Sequence, residues 1–466
     1  MPLISKNPFN QKINGEYVEW NSDQVQTAVE VAKSEFKIWK QTDFNRRSKL
    51  MHKLALVLRE NRQSFAELIA LEMGMPISQA VGDIEKTAQI AEYYADNAEE
   101  FLKPEFVENQ NQYISFEPSG VLLHIAPWNY PFYLALRPII PAIMAGNTVL
   151  LKHASNVPQI AQAISGIFQM AGFPSGVCQV LMITSKLVEP VIADPGITMV
   201  TLIGSEFAGS KVAQTAGKNL KKTIMELGGN DPFIVLKDAD IIEAAKQGTT
   251  ARLRNQGQSC NAAKRFLVEN EVVEDFLIQI KQQFEDQEFG DPLNPKTTFG
   301  PLANQEALDT VKQQVEQSLS LGAKIITGGH GLSAVLTPKW QEFIKTNPDG
   351  YFYPPTILTN ITPEMAVFKE EVFGPVIPVI TVMDENEAVT VANNSSLGLG
   401  ASLWTKDIEK ATKLIPMLEC GMVCVNSMVR SNIKMPFGGV KKSGYGRELG
   451  KDSLKEFVNI KSVVIS

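Results

Sequence analysis

VLLHIAPWNYPFYLALRPIIPAIMAGNTVLLKHASNVPQIAQAISGIFQM, residues 121–170, is the stretch on which the fold class turns. Two short apolar runs, VLLHI at 121–125 and TVLL at 148–151, each precede a longer segment with helical spacing, at 131–145 and 158–170. Short runs that are apolar at every position read as strands covered on both faces, the habit of parallel sheets. The alternation continues through CQVLM (178–182), a short helix, ITMVTLI (197–203) and a helix at 205–219. This β-α-β-α order predicts a mostly parallel sheet with helices on both sides. A second round begins near 222 with TIMEL and PFIVL, a helix from about 240, RFLVE (265–269) and a helix through 284, and it runs on to ASLWT (401–405). Two α/β lobes are therefore expected. Upstream, residues 22–100 read mostly as helices, with Val25, Ala28, Val29 and Ala32 at helical spacing. The tail SLKEFVNIKSVVIS ends as an exposed strand of the kind that extends another subunit's sheet.

Composition narrows the function. The chain has 466 residues, which at about 150 residues per domain suggests roughly three lobes. Lys and Arg number 44 against 51 Asp and Glu, a net charge of −7, which argues against a partner that is nucleic acid or an anionic membrane. Hydrophobic residues make up 44% and charged residues 20%, as in an ordinary soluble globular protein. MPLISKNPFNQKING has no apolar run of secretory type, and the apolar stretch 131–145 is broken by Arg137, Pro138 and Pro141. Four cysteines, at 178, 260, 420 and 424, are too few for a disulfide framework, so a reducing cytoplasm is the expected location. Cys420 and Cys424 have no neighbouring His or second pair, and no metal is expected.

Standard signatures are missing. There is no G-x-S-x-G, no H-E-x-x-H, no P-loop and no G-x-G-x-x-G. Four local strings carry chemistry instead. Gly257-Gln258-Ser259-Cys260 closes a helical stretch with a cysteine that is either a small buried hydrophobe or an accessible nucleophile. Met225-Glu226-Leu227-Gly228-Gly229-Asn230 puts a carboxylate between a strand and two glycines. Ala126-Pro127-Trp128-Asn129-Tyr130-Pro131 is a Pro-bounded turn that either aims an Asn amide or merely turns the chain. In Glu371-Val372-Phe373-Gly374-Pro375, the acid and the ring either face a flat polar ligand or end a strand.

Together these strings resemble the aldehyde dehydrogenase superfamily, in the family's order from Pro127 to Arg447. Further matches are Gly172-Phe173-Pro174-Ser175-Gly176-Val177, Pro436-Phe437-Gly438-Gly439 and Lys442-Ser443-Gly444-Tyr445-Gly446-Arg447-Glu448. The resemblance implies two doubly wound α/β domains plus a β-arm for oligomerisation. Residues 1–99 and 119–226 would bind the cofactor, 227–425 would form the catalytic domain, and 100–118 with 447–466 would form the arm of a homodimer or homotetramer. It also implies a mechanism. Cys260, its thiol partly ionised near neutral pH, attacks the aldehyde carbon. The Asn129 amide and the Cys260 backbone N–H stabilise the oxyanion, and Glu226 is the general base for hydrolysis of the thioester.

For the cofactor, the resemblance assigns Gly204, Ser205 and Gly209 to the pyrophosphate at a helix N-terminus. Lys152 takes the adenosine ribose, Glu371 the nicotinamide ribose, and Phe373 the ring, with Trp128 and Leu227 alongside. Strictly NAD-using members tend to carry an acid three residues after this Lys. Here Ser155 stands in that place, so NADP is expected, with NAD as the other possibility. The strings 151–158 and 260–266 are similar to the succinate-semialdehyde dehydrogenase branch, which implies a substrate with a distal carboxylate. Arg137 is the main candidate to hold it, with Arg430 and Ser431 in support. A broader aldehyde dehydrogenase acting on another short aldehyde is the alternative. A coenzyme-A-acylating enzyme is disfavoured by Glu226, and a non-catalytic structural protein by the intact Cys260, Glu226 and Asn129. Between Gly329 and Gly350 the chain is longer than is usual in the family, and its segment 330–349, with Trp340 and Phe343, is expected to be a surface excursion or a subunit contact.

Overall fold

The computed structural model describes residues 2–107 and 111–465. Met1, Ser466 and positions 108–110 of the expected arm lie outside the described residues. The opening stretch forms strand Val121–Ile125, helix Pro131–Met144, strand Thr148–Lys152 and helix Pro158–Ala171. Strands Val121–Ile125, Thr148–Lys152, Cys178–Val180, Ile197–Ile203 and Lys222–Glu226 pair in parallel, and the short strand Gly444–Tyr445 adds an antiparallel edge. From Val121–Ile125 the chain winds outward through Thr148–Lys152 on one side, and later through Ile197–Ile203 on the other. That reversal makes a topological switch point, and its carboxyl edge is where open α/β sheets bind ligands.

Both faces of this sheet are covered. Leu123, Leu150 and Val200 pack against Val25, Val29 and Ala32 of helix Ser22–Trp39. Leu122, Val149 and Leu151 face the helices Phe44–Glu60, Ile77–Phe101 and Pro131–Met144. The last of these is buried along its whole length. Asp83 fixes its start, accepting from the backbone N–H groups of Phe132 (3.2 Å) and Tyr133 (3.4 Å). Pro138 has no N–H to offer the carbonyl of Leu134, and the His124 ring Nε2 lies 3.1 Å from that oxygen instead.

The second lobe is a seven-stranded sheet in the order Lys324–Thr327, Thr356–Thr359, Val376–Val382, Arg265–Glu269, Pro232–Val235, Gly400–Trp404 and Met422–Val425. All pairs are parallel except the first. After it the chain returns to the first sheet, where Gly444 pairs with Glu226. Only glycine suits this position: φ is +112°, and a Cβ would lie 2.0 Å from the Met225 carbonyl. The tail is β-structured, as the sequence indicates. Val458–Val464 pairs along its length with Gln112–Pro118, which also holds Glu105–Phe106.

Segment 330–349 runs over the surface, one of the two expectations, and within it only Trp340 is buried. Helix Pro338–Thr346 is amphipathic, and its Trp340 is fully buried in the second lobe's own core. Trp340 meets Phe289 edge-on at 5.5 Å, and Phe343 stacks on the same ring at 5.3 Å. The sequence signal lay in an isolated indole, whose partners are distant in sequence. Because Trp340 joins an aromatic cluster remote from the catalytic strings, Trp340→Ala should destabilise the fold by about 3–5 kcal/mol in urea unfolding. Turnover per folded molecule should stay unchanged.

Candidate active site

The carboxyl edge of the first sheet gathers most of the residues singled out from sequence. Trp128 and Asn129 follow strand Val121–Ile125, Lys152 ends its strand and leads to Ser155, and Gly204 and Ser205 follow Ile197–Ile203. Glu226 is the last residue of Lys222–Glu226, and Leu227 comes next. The second sheet faces this edge with the loops that enter its strands. Cys260 precedes Arg265–Glu269, while Glu371 and Phe373 precede Val376–Val382.

A cavity of about 270 Å³ opens at Cys260 and is walled by Tyr130, Tyr133, Leu134, Arg137, Arg254, Ser431 and Phe437. The nucleophile loop is built from uncommon backbone. Asn255, Gln256 and Gly257 have φ of 51°, 54° and 76°, three left-handed residues in succession. For non-glycine residues that conformation costs energy and persists only where the surroundings enforce it. Here they do. Asn255 Nδ2 donates to the Asn129 carbonyl at 2.7 Å, Asn129 Nδ2 donates to the Gln258 carbonyl at 3.0 Å, and Gln258 Oε1 accepts from Ala303 N. Gly257 has no room for a Cβ, which would lie 2.2 Å from the Gly374 carbonyl.

Cys260 and Glu226 face one another, and the carboxylate raises the thiol's pKa, while the thiol lowers that of the carboxyl group. Burial first, and the Glu226 carboxylate second, push the thiol well above its usual range, while Arg137 and Lys264 pull it back. The expectation of a partly ionised thiol near neutral pH is therefore corrected for the ligand-free protein: partial burial and a neighbouring carboxylate both favour the protonated thiol. Burial also raises Glu226 to about 7, against the pull of Arg137. Neither of its carboxyl oxygens has a hydrogen-bond partner among the described residues. A carboxyl group so placed is poised to exchange a proton near neutral pH.

Arg137 reaches the cavity, though not as a free cation. Its side chain is 2% exposed, its Nη2 pairs with Glu448 and lies 3.5 Å from Glu226 Oε2, and its guanidinium is flanked by the rings of Tyr133 and Phe437. Burial opposes its charge, and Glu448, Tyr133 and Glu226 outweigh that cost. The reading of Arg137 as the main grip for a substrate carboxylate gives way to one in which it holds the base. Arg430 is corrected as well: it is exposed and reaches Gln247 Oε1 at 3.4 Å. Ser431 does line the cavity, with its Oγ 2.9 Å from the Tyr133 hydroxyl and accepting from Lys86 Nζ at 2.5 Å.

Sequence reasoning passed over Arg254, Glu448, Lys86 and Lys264. Arg254 stands six positions before Cys260 on the cavity wall, its Nε without a hydrogen-bond partner and its guanidinium 6.0 Å over the Tyr130 ring. Its spacing from Cys260 was the available signal. Glu448 stood in a quoted motif, but its partner is fixed only by the return of the chain to the first sheet.

On the cofactor side, Trp128 and Phe373 meet edge to face at 5.7 Å. Glu371 Oε1 accepts from Gly229 N at 3.2 Å and from Lys264 Nζ at 2.9 Å. Ser205 caps helix Glu206–Lys218 by accepting from Ala208 N, and a Cβ on Gly209 would lie 2.5 Å from Leu227. Burial pulls Lys152 down to about 8, with no carboxylate contributing. An unpaired buried ammonium, a capped helix N-terminus beyond a sheet switch point, and a half-buried Ser155 with no acid in its place form a donor set that suits a dinucleotide. Among the described residues no cluster of three or more His, Cys, Asp or Glu is placed to hold a metal, and no helix is long and apolar enough to cross a membrane.

A model of the aldehyde dehydrogenase family matches residues 3–463. A protein of Synechocystis sp. described as a probable succinate-semialdehyde dehydrogenase [NADP(+)] is 42% identical over 468 residues, covering 100% of both chains. A succinate-semialdehyde dehydrogenase [NADP(+)] 1 of Mycobacterium tuberculosis (strain ATCC 25618 / H37Rv) is 39% identical over 471 residues, again covering 100% of both. Among solved structures, succinic semialdehyde dehydrogenase from Streptococcus pyogenes in complex with NADP+ superposes with a TM-score of 0.93 at 35% identity, covering 99% of each chain.

Arg137→Met should leave Glu226 and Glu448 as two buried acids without their shared cation. A loss of about 3–5 kcal/mol in stability is expected, the usual size for breaking a buried pair. Turnover of carboxylated and uncharged aldehydes should fall in parallel, and a loss confined to the carboxylated substrate would return Arg137 to the role of substrate grip.

Proposed function

The chain belongs to the aldehyde dehydrogenase family, and we propose that it oxidises succinate semialdehyde to succinate with NADP as preferred acceptor, or NAD. The observation that carries this is the cavity itself, which has Cys260 in its wall and the unpaired guanidinium of Arg254 and the hydroxyl of Ser431 within the same small volume. A four-carbon chain bearing an aldehyde and a carboxylate matches that pairing of nucleophile and cation. The full-length relatives named for this reaction support it.

In this reading the Cys260 sulfur, on losing its proton, adds to the aldehyde carbon. The oxyanion that forms is met by the second N–H of Asn129 Nδ2 and by the Cys260 backbone N–H. A bound oxidised nicotinamide, bounded by Trp128 and Phe373, would supply the acceptor for the hydride of this carbon. Glu226 then takes a proton from water, which attacks the thioester and releases the acid and the free thiol. Lys152, Gly204, Ser205, Gly209 and Leu227 hold the adenine half of the cofactor, Glu371 its second ribose, and Trp128 and Phe373 bound the ring. Ser155 leaves room for a 2′-phosphate where a carboxylate would repel it. Arg254 and Ser431 fix the distal carboxylate of the substrate. The exposed Phe106, Ile460 and Val464 on the tail sheet support a homodimer or homotetramer joined through the arm.

An aldehyde panel with NAD and NADP side by side tests the proposal. Succinate semialdehyde should give a higher kcat/KM than butanal, and NADP should serve better than NAD. Arg254→Met should lower kcat/KM for the semialdehyde by about 30-fold or more, the size for one partner of a desolvated ion pair, with a much smaller change for butanal. Ser155→Glu should weaken NADP more than NAD. A wild type indifferent to the carboxylate would leave the broader aldehyde dehydrogenase reading in its place.

A further inference from the structure

Lys264 lies four residues beyond Cys260, and no step of the oxidation uses it. Its side chain is 1% exposed. The ammonium donates to the Cys260 carbonyl at 2.7 Å, the Gly229 carbonyl at 2.8 Å and Glu371 Oε1 at 2.9 Å, which occupies all three of its N–H bonds. The three acceptors belong to three different parts of the site: the nucleophile's own backbone, the turn that follows Glu226, and the carboxylate facing the cofactor. The glycines of that turn make the closeness possible. A Cβ on Gly228 would lie 2.2 Å from Glu371 Oε2, and one on Gly229 would lie 2.5 Å from the Cys260 carbonyl. A neutral amide could not replace the ammonium, because it lacks both the third donor and the charge that offsets Glu371.

We propose that Lys264 is a positioning residue that ties the backbone of Cys260 to the carboxylate of Glu371, so that the nucleophile and the cofactor-binding acid are held as one unit. This rests on the reading of Cys260 as nucleophile and Glu371 as a cofactor contact. Two consequences follow from one side chain. Glu371 loses its counter-charge and its orientation when Lys264 is removed, so the nucleotide binds less well. The thiol also loses a nearby cation. Of the charged groups around the thiol, Glu226 opposes its ionisation, while Arg137 and Lys264 favour it. Glu448 and Glu371 act on Glu226 from behind, and Asp231 lies close to Lys264. Arg137 is shared between Glu226 and Glu448, whereas Lys264 is the cation that bonds directly to the backbone of Cys260.

Both consequences can be read in the full-length protein without an aldehyde, so the outcome does not depend on which substrate the enzyme takes. The variants are Lys264→Met, which keeps the length of the stem, and Lys264→Arg, which keeps the charge in a planar fork that cannot serve the same three acceptors. Iodoacetamide alkylation of Cys260 in the ligand-free enzyme, followed by peptide mass against pH, should show an inflection about one unit higher in Lys264→Met and near that of wild type in Lys264→Arg. NADPH binding, followed by fluorescence titration, should weaken about tenfold or more in both variants, the size for a lost hydrogen bond to a charged group. A purely structural lysine would lower the melting temperature of Lys264→Met and leave the alkylation inflection and the NADPH affinity at wild-type values; either quantity unchanged in that variant overturns the proposal. If Lys264→Met does not fold, Lys264→Arg decides: weakened NADPH binding supports the proposal, and wild-type binding overturns it.

Discussion

A buried arginine held between two buried carboxylates is the constraint around which the catalytic end of this molecule is arranged. Three ionised groups away from water are costly unless they satisfy one another. Arg137 therefore dictates where Glu226 and Glu448 sit, and those residues come from distant parts of the chain. Arg137 is carried by a helix with no exposed face, started by Asp83 and passing through two prolines. Glu226 ends a strand of the first sheet, and the segment bearing Glu448 returns from the second lobe to pair beside it. Burial, against the pull of Arg137, raises Glu226 to about 7, so that it can exchange a proton near neutral pH.

Opposite this rigid wall stands a strained loop. Three left-handed residues bring Cys260 to the cavity, and hydrogen bonds from Asn129, Asn255 and Gln258 keep them there. Strain of this kind persists because the surroundings over-determine it. Asn129 thus holds the loop through one N–H of its amide, and in the proposed mechanism the other meets the oxyanion. The burial that shapes the loop also keeps the thiol protonated in the ligand-free protein, with Glu226 adding to the effect.

Much of this was legible in the sequence, and the limits of that legibility are physical. The strands VLLHI, ITMVTLI and RFLVE announce themselves as short, mostly apolar runs between helical segments, and the residues at their ends follow from the rule for switch points. Cys260, Glu226 and Asn129 were readable from local strings. Arg137 was assigned the wrong partner, because a lone arginine on an apolar helix shows its burial in sequence but not the carboxylates that neutralise it. Glu448 reaches it across more than 300 positions, and no local pattern encodes that distance. Arg254 was missed because its surroundings are helical until the left-handed turn reverses the chain. The anchoring of segment 330–349 by Trp340 was not legible, since its aromatic partners are dispersed between Phe289 and Phe352.

The central claim is that Glu226 serves the hydrolysis of a Cys260 thioester and that the hydride-transfer half of the reaction can proceed without it. Rapid mixing of Glu226→Gln with succinate semialdehyde and NADP, quenched in acid and analysed by peptide mass, measures this directly. The account expects one NADPH per active site in a fast phase, a negligible steady rate, and a succinyl adduct on the Cys260 peptide. A variant that turns over steadily with no adduct, or one that shows neither burst nor adduct while still binding NADP, would contradict it.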